Sequence, residues 1–134
     1  MRTVIVGCGR VGSKVALRLD EQGHEVTVID RDASQFKRFL SSNFKGRLLA
    51  GSGADHRVLI EADIDGADAF LALTPGDNRN VLAAQIAKHI YGVDRVVVRL
   101  ADPFRAELFQ RLGLRTFSPT NIGADLAYDE LTRE

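Results

Sequence analysis

Gly7, Gly9 and Gly12 stand in a Gly7-Cys8-Gly9-Arg10-Val11-Gly12 turn, and Asp30 follows 18 positions after the last of them. Together these residues can hold phosphates and a ribose. Gly7 permits a tight turn, Gly9 leaves room for a pyrophosphate to approach the backbone, and Gly12 allows close packing of a helix on a strand. The N–H groups and positive dipole end of that helix bind phosphates without a side-chain cation. Asp30 can accept hydrogen bonds from a ribose diol. Asp30→Ala is expected to weaken an adenine nucleotide's binding while barely moving the melting temperature of the empty protein. Arg10 leaves the turn where phosphates would lie, and fits a site that senses di- or triphosphate charge. Its alternative is a solvated side chain. Arg31 can pair with a 2′-phosphate that Asp30 repels, or stack on adenine. Stacking is favoured, and with it NAD or ATP over NADP.

Three further groups belong to the same inventory. Ser52 and Gly53, in Gly51-Ser52-Gly53-Ala54-Asp55, can close over an adenine, or form a plain turn before a helix capped by Ser52 or Asp55. Thr74, in Thr74-Pro75-Gly76-Asp77-Asn78, can reach the far end of a ligand or simply start a helix. Arg99 can offer its guanidinium fork to a terminal phosphate, or pair with an acid such as Asp102. Cys8 reads either as a redox sensor or, preferably, as a small residue with no partner thiol.

The elements that must position these groups follow from patterning. Apolar runs recur at Thr3–Val6, Val26–Ile29, Leu48–Ala50, Ala69–Leu73, Val96–Leu100 and Thr116–Phe117, with helical stretches between them. Such runs indicate a parallel sheet covered on both faces. Six strands complete two mononucleotide-binding halves, so the expectation is a doubly wound, Rossmann-like α/β fold of order 3-2-1-4-5-6. Residues 1–134 are expected to form one domain. The spacing predicts that Val11, Val15 and Leu19 line the first helix, ended by Gly23, and that Leu82, Ile86 and Ile90 line the fourth, ended by Gly92. The last helix, over 121–134 with Thr120 or Asn121 as cap, carries Ile122, Leu126, Tyr128 and Leu131 after the sheet is complete. It covers its own subunit, or packs on another subunit or leads towards a further domain.

Bulk properties exclude several classes. The 18 Lys and Arg balance the 18 Asp and Glu, so no overall field favours nucleic acid or an anionic membrane. No apolar run is long enough to insert into a membrane. The start leads straight into a core strand, so no signal peptide is expected, and one cysteine fits a reducing cytoplasm. His24, His56 and His89 are not spaced with acids or Cys8 as metal ligands, and no Ser-His-Asp pattern stands out. An NAD-dependent oxidoreductase, or a fragment of one lacking its substrate domain, is the alternative to a regulatory module.

Taken jointly, these residues resemble the N-terminal nucleotide-binding domain of the Trk/Ktr potassium-uptake regulators, the RCK N-terminal (TrkA-N) domain. The resemblance rests on the glycine turn, Gly23-His24-Glu25-Val26, Ile29-Asp30-Arg31-Asp32 and Gly51 to Ala54. It extends through Ala69–Thr74 with Asp77 and Asn80, Val97-Val98-Arg99-Leu100-Ala101-Asp102-Pro103, Glu107-Leu108-Phe109 with Leu112-Gly113, and Phe117-Ser118-Pro119. It implies a cytoplasmic ligand-sensing subunit, not an enzyme, that binds NAD(H) or ATP/ADP. It further implies a homodimer or larger ring beneath a membrane potassium transporter, with ligand altering ring geometry and so the gate. Gly7, Gly9, Arg10, Val11 and Gly12 would hold phosphates and Asp30 the adenosine ribose. Arg31, Ser52 and Gly53 would flank the adenine, with Thr74 and Arg99 towards the distal phosphate or second nucleoside. Ser52 departs from the family's usual acid at that position. Many members also carry a C-terminal ligand-binding domain, and either part of such a protein or a single-domain member fits the sequence.

Overall fold

The computed structural model describes all 134 residues. Its strands β1 (Arg2–Val6), β2 (Glu25–Asp30), β3 (Arg47–Ala50), β4 (Ala69–Ala72), β5 (Arg95–Arg99) and β6 (Arg115–Phe117) alternate with helices. These are α1 (Arg10–Glu21), α2 (Ser34–Phe39), α3 (His56–Glu61), α4 (Asp77–Gln85), α5 (Pro103–Arg111) and α6 (Pro119–Thr132). The strands form one parallel sheet in the order β3-β2-β1-β4-β5-β6, the doubly wound Rossmann-like arrangement expected from the sequence. The order reverses between β1 and β4, where Val6 lies beside Ala72. That reversal opens a crevice at the carboxyl ends of the strands.

Side chains of successive strand residues leave opposite faces of the sheet, and two cores result. Val4, Val6, Ile29, Phe70, Ala72, Val96 and Val98 pack with Leu59, Ala83, Ala84, Ala87 and Ala106 of α3, α4 and α5. On the other face Ile5, Val26 and Val28 pack with Ala16 of α1 and Phe36 of α2. The central strands are buried on both faces, while β3 and β6 are edges, and Leu48 is exposed there.

Helix faces depart from the spacing rule in an instructive way. Val15 and Leu19 do pack against the sheet, but Val11 is exposed and the fully buried positions of α1 are Gly12, Ser13 and Ala16. Of the stripe expected on the fourth helix only Ile86 packs on the core: Leu82 is 54% exposed and Ile90 69%, and the buried face is Asn80, Ala83 and Ala84 of α4 with Ala87 just beyond its end. Those four recur at i, i+3, i+4 and i+7, so the period is helical but the fully inward residues are small. Small side chains let the helix lie close on the sheet. After Gln85 the coil widens into a π turn over Ile86–Ile90, closed by a Tyr91 N–H to Ile86 carbonyl bond of 3.3 Å. Gly23 and Gly92 follow their helices with φ of +85° and +66°, as expected of C-terminal glycines.

The last helix begins two residues earlier than expected, at Pro119. Its cap is Ser118, whose Oγ accepts from the Asn121 N–H at 3.4 Å. Thr120 donates instead to the Ala101 carbonyl at 2.8 Å. No residue of α6 is buried.

Candidate functional site

The glycine turn joins β1 to α1. Gly7 has a φ of +106°, and a Cβ there would meet the Leu73 carbonyl carbon and Thr74 nitrogen at 2.8 Å, so only glycine fits. A Cβ on Gly12 would collide with the Gly7 carbonyl oxygen, so the close approach is of helix to turn. A Cβ on Gly9 would meet nothing within 4 Å, which leaves the space outside the turn clear for a ligand. Helix α1 starts with Gly9 as an N-cap whose end carries no side-chain cap, and no acid sits in its first turn. Its leading N–H groups are therefore available to an anion.

Asp30 ends β2 and ties two strand ends together. One carboxylate oxygen accepts from the Cys8 N–H at 2.8 Å and the other from the Asp32 N–H at 2.9 Å. A carboxylate has about four lone-pair positions, so two remain for ribose hydroxyls. The bond to Cys8 makes Asp30 part of the turn's architecture, a role that spacing alone did not reveal. Cys8 itself is fully buried, and burial first, then the Asp30 charge, pushes its thiol up to about 11. A thiol held protonated in this way has none of the thiolate character of a redox sensor, so the small-residue reading stands.

Gly7, Asp30, Arg31, Ser52, Gly53 and Thr74 line one cleft of about 250 Å³ at the switch point. Val6, Gly51, Ala54, Pro75, Arg79, Leu82 and Ala83 complete it. Gly9, Arg10, Val11 and Gly12 lie along the turn at its margin, and Arg10 is exposed. Arg99 stands apart from the cleft wall: its guanidinium donates to the Thr74 carbonyl at 2.9 Å rather than pairing with Asp102. Asp102 caps α5, accepting from the Phe104 N–H, and lies 4.0 Å from Arg105. Ser52 Oγ accepts from the Ala54 N–H at 3.1 Å, and Asp55 caps α3.

Asn80 holds the loop after β4 against β5. It is fully buried, and its amide nitrogen donates to the carbonyls of Thr74 and Arg99, both at 2.8 Å. Its oxygen accepts from the Thr74 N–H at 2.9 Å and the Thr74 hydroxyl at 2.7 Å. All four of its hydrogen-bonding positions are used. Asp77 adds a second staple, accepting from the N–H groups of Ala101 at 2.8 Å and Asp102 at 3.1 Å. The sequence resemblance had included both residues without assigning them work. Arg79, Leu82 and Ala83 were missed, because a helix-face reading placed Leu82 in the core and gave Arg79 no role. The polar residue at i with alanines at i+3, i+4 and i+7 was the signal that could have turned the helix correctly.

The histidines lie outside the cleft lining. His24 Nδ1 faces the terminal ammonium at 2.7 Å, and His56 stacks on Tyr91 with its ring bonded to the Tyr91 hydroxyl. No group of three or more His, Cys, Asp or Glu is placed to hold a metal. No helix is long and apolar enough to cross a membrane.

Comparison with known proteins agrees with this fold. The sequence profile of the TrkA-N domain matches residues 3–119. The Trk system potassium uptake protein TrkA of Streptomyces coelicolor is 50% identical over 125 residues, which are 93% of this chain and 56% of that protein. A TrkA homolog of Pyrococcus abyssi is 36% identical over 137 residues, 98% of this chain and 60% of that protein. The chain thus spans under two thirds of the length of either relative. Among solved structures, the Kef C-terminal domain of Shewanella denitrificans in its AMP-bound form superposes with a TM-score of 0.79 at 22% identity. That match covers 98% of this chain and 80% of the other. GsuK bound to ADP superposes at 0.81 and 23% identity, covering 97% of this chain and 33% of that one. At those identities the two structures speak for the fold.

Proposed function

This chain belongs to the TrkA-N domain family, and we propose that it is the adenine-nucleotide-sensing module of a potassium uptake system. The observation that carries the reading is the cleft itself. An uncapped helix start offers N–H groups to phosphates, and Asp30 keeps two lone pairs free beside a slot of glycines and small apolar residues. The ligand is NAD(H) or ATP/ADP. Gly7, Gly9, Arg10, Val11 and Gly12 take the phosphates, Asp30 the adenosine ribose, and Arg31, Ser52 and Gly53 the adenine side. Thr74 faces the cleft from the loop after β4, and Arg99 acts by holding the Thr74 carbonyl. The names of the relatives, all of the Trk system, support potassium uptake as the setting.

In this reading residues 1–134 work as one cytoplasmic domain bound to the inner face of a membrane transporter, and 121–134 form an association helix. Two separate apolar faces support assembly. Helix α6 exposes Ile122, Leu126, Tyr128 and Leu131, and α5 exposes Phe104, Leu108 and Leu112 at i, i+4 and i+8. One self-complementary face closes a dimer, and a second, different face lets dimers build a larger ring. Ligand binding changes the geometry of that ring and so the transporter's gate.

Calorimetry of the purified chain against NAD, NADH, NADP, ATP and ADP tests the reading. Saturable binding of at least one adenine nucleotide is expected, with NADP weaker than NAD because Asp30 repels a 2′-phosphate. No binding by any of the five would overturn it. A regulatory module also gives no hydride transfer from NADH or NADPH to aldehydes, ketones or quinones. Turnover that scales with protein and is lost in Asp30→Ala would restore the oxidoreductase alternative.

A further inference from the structure

We infer that Arg79 makes this cleft selective for a purine base, by laying its guanidinium on the face of the base. The inference rests on the nucleotide reading above. Arg79 is the third residue of α4, and a cation in the first turn of a helix opposes the helix dipole. The acid of that turn, Asp77, is occupied with the N–H groups of Ala101 and Asp102. Arg79 makes no ion pair and no side-chain hydrogen bond, unlike Arg99 and Arg105 nearby. Its side chain is exposed and unpaired at the cleft, and so is free to meet a partner from outside the fold.

The shape of the cleft says which partner. The Arg79 stem runs beside Gly76, its Cγ, Cδ and Nε each 3.7 Å from where a Cβ on Gly76 would stand, and it lines the cleft. The Gly51–Ala54 segment lines the same cleft and brings only small side chains to it, the Ser52 hydroxyl held on the Ala54 N–H and the Ala54 methyl. Leu82 and Ala83 contribute apolar surface beside Arg79. A slot of small residues with an apolar side and an unpaired guanidinium suits a flat π system, on which a guanidinium stacks. In the nucleotide reading the phosphates lie at the α1 start and the ribose on Asp30, which leaves the base for the part of the cleft beside Arg79. Two fused rings give the guanidinium more π surface than one, so purines are favoured over pyrimidines.

The test is calorimetry of ADP, IDP and UDP with the wild type, Arg79→Ala and Arg79→Met. Wild type is expected to bind ADP and IDP at least about 10-fold tighter than UDP. Arg79→Ala should weaken both purine nucleotides by about 3- to 30-fold, the range from an exposed to a desolvated cation–π contact, and UDP by less than about 2-fold. Arg79→Met keeps an apolar stem without the cation and should behave like Arg79→Ala. The empty Arg79→Ala variant should melt no lower than wild type, since it removes a cation from a helix start. Unchanged purine affinity, equal losses for ADP and UDP, or a Met variant equal to wild type would each overturn the assignment. Wild type that binds no nucleotide at all defeats the nucleotide reading itself, before any variant is compared.

Discussion

Replacing Asn80 by alanine removes four hydrogen bonds from a fully buried site and tests whether the cleft's floor is held as described. Each such bond has a net worth of about 1 kcal/mol, and a buried group left without a partner costs about 1–3 kcal/mol. Not all the loss is realised. The Thr74 carbonyl keeps the Arg99 guanidinium at 2.9 Å, and the Thr74 hydroxyl can turn its single proton to the Gly76 carbonyl 3.3 Å away. The Thr74 N–H and the Asn80 contact to Arg99's carbonyl are lost outright. Together these give a destabilisation of about 3–4 kcal/mol. A chain of this length unfolds with an entropy of about 0.28 kcal/mol/K, so Tm should fall by about 10–15 °C. Urea unfolding with an unchanged m-value measures it directly. Asn78→Ala, at an exposed neighbour bonded to Arg105, serves as control and should cost less than about 0.5 kcal/mol. Asn80→Asp separates hydrogen bonding from volume. An aspartate there faces two carbonyls where the amide donated, so its folded pKa lies above its unfolded value of about 3.9. Its deficit against wild type should therefore be smallest below about pH 4 and grow as pH rises. An Asn80→Ala loss under about 1 kcal/mol, or an Asn80→Asp deficit that does not change with pH, would refute the network as the floor of the cleft.

Asp30→Ala is expected to weaken adenine-nucleotide binding by about 1.5–3 kcal/mol, read by calorimetry. Because Asp30 also holds the Cys8 and Asp32 N–H groups, it should lower the Tm of the empty protein too, in contrast to the expectation from sequence. The Cys8 thiol, pushed up to about 11 from 9.0, stays protonated in the fold where the unfolded chain ionises. Stability should thus be full below about pH 9 and decline between about 9 and 11, and Cys8→Ala should flatten that decline. A steeper decline in the variant would contradict the burial. Arg10→Ala should weaken ATP more than NAD, since the Arg10 side chain is exposed at the turn proposed to take the phosphates. Equal losses would leave it a general support of the turn. Leu126→Asp with Leu131→Asp should convert a dimer or larger assembly to monomer in light scattering while the fold survives, as α6 buries nothing in its own chain. A wild-type monomer at about 100 μM, a concentration at which even weak specific association is visible, would refute the assembly.

What the sequence made legible follows from where each feature's information is stored. The strands β1, β2, β4 and β5 are buried on both faces, so their runs of Val, Ile, Leu and Ala mark them without reference to partners. The glycine turn is equally local, because its demands fall on the backbone. A turn that needs a positive φ at Gly7 and no Cβ at Gly12 must write both demands into consecutive residues. The α4 face was misread at Leu82 and Ile90 because apolar size was taken as the mark of burial, whereas the fully buried positions facing the sheet are Asn80 and alanines. Ser118 was missed as the α6 cap because the helix was begun at residue 121 with Thr120 or Asn121 as cap, whereas Pro119 already stands in its first turn, a position proline favours. The cleft beyond the glycine turn is a different kind of object. Its walls come from Asp30–Arg31, Gly51–Ala54 and Thr74–Ala83, three segments that meet only because β2, β3 and β4 end side by side with β1 in one sheet. No spacing rule links Arg79 to Gly53. A site built from backbone can be read in one pass along the chain, but a site built from side chains on separate loops becomes visible only once the strand order is known. In this fold that order was itself legible, so the sequence alone was one step short of Arg79: with the helix turned by its alanines, the unpaired cation at the start of α4 falls over the switch point.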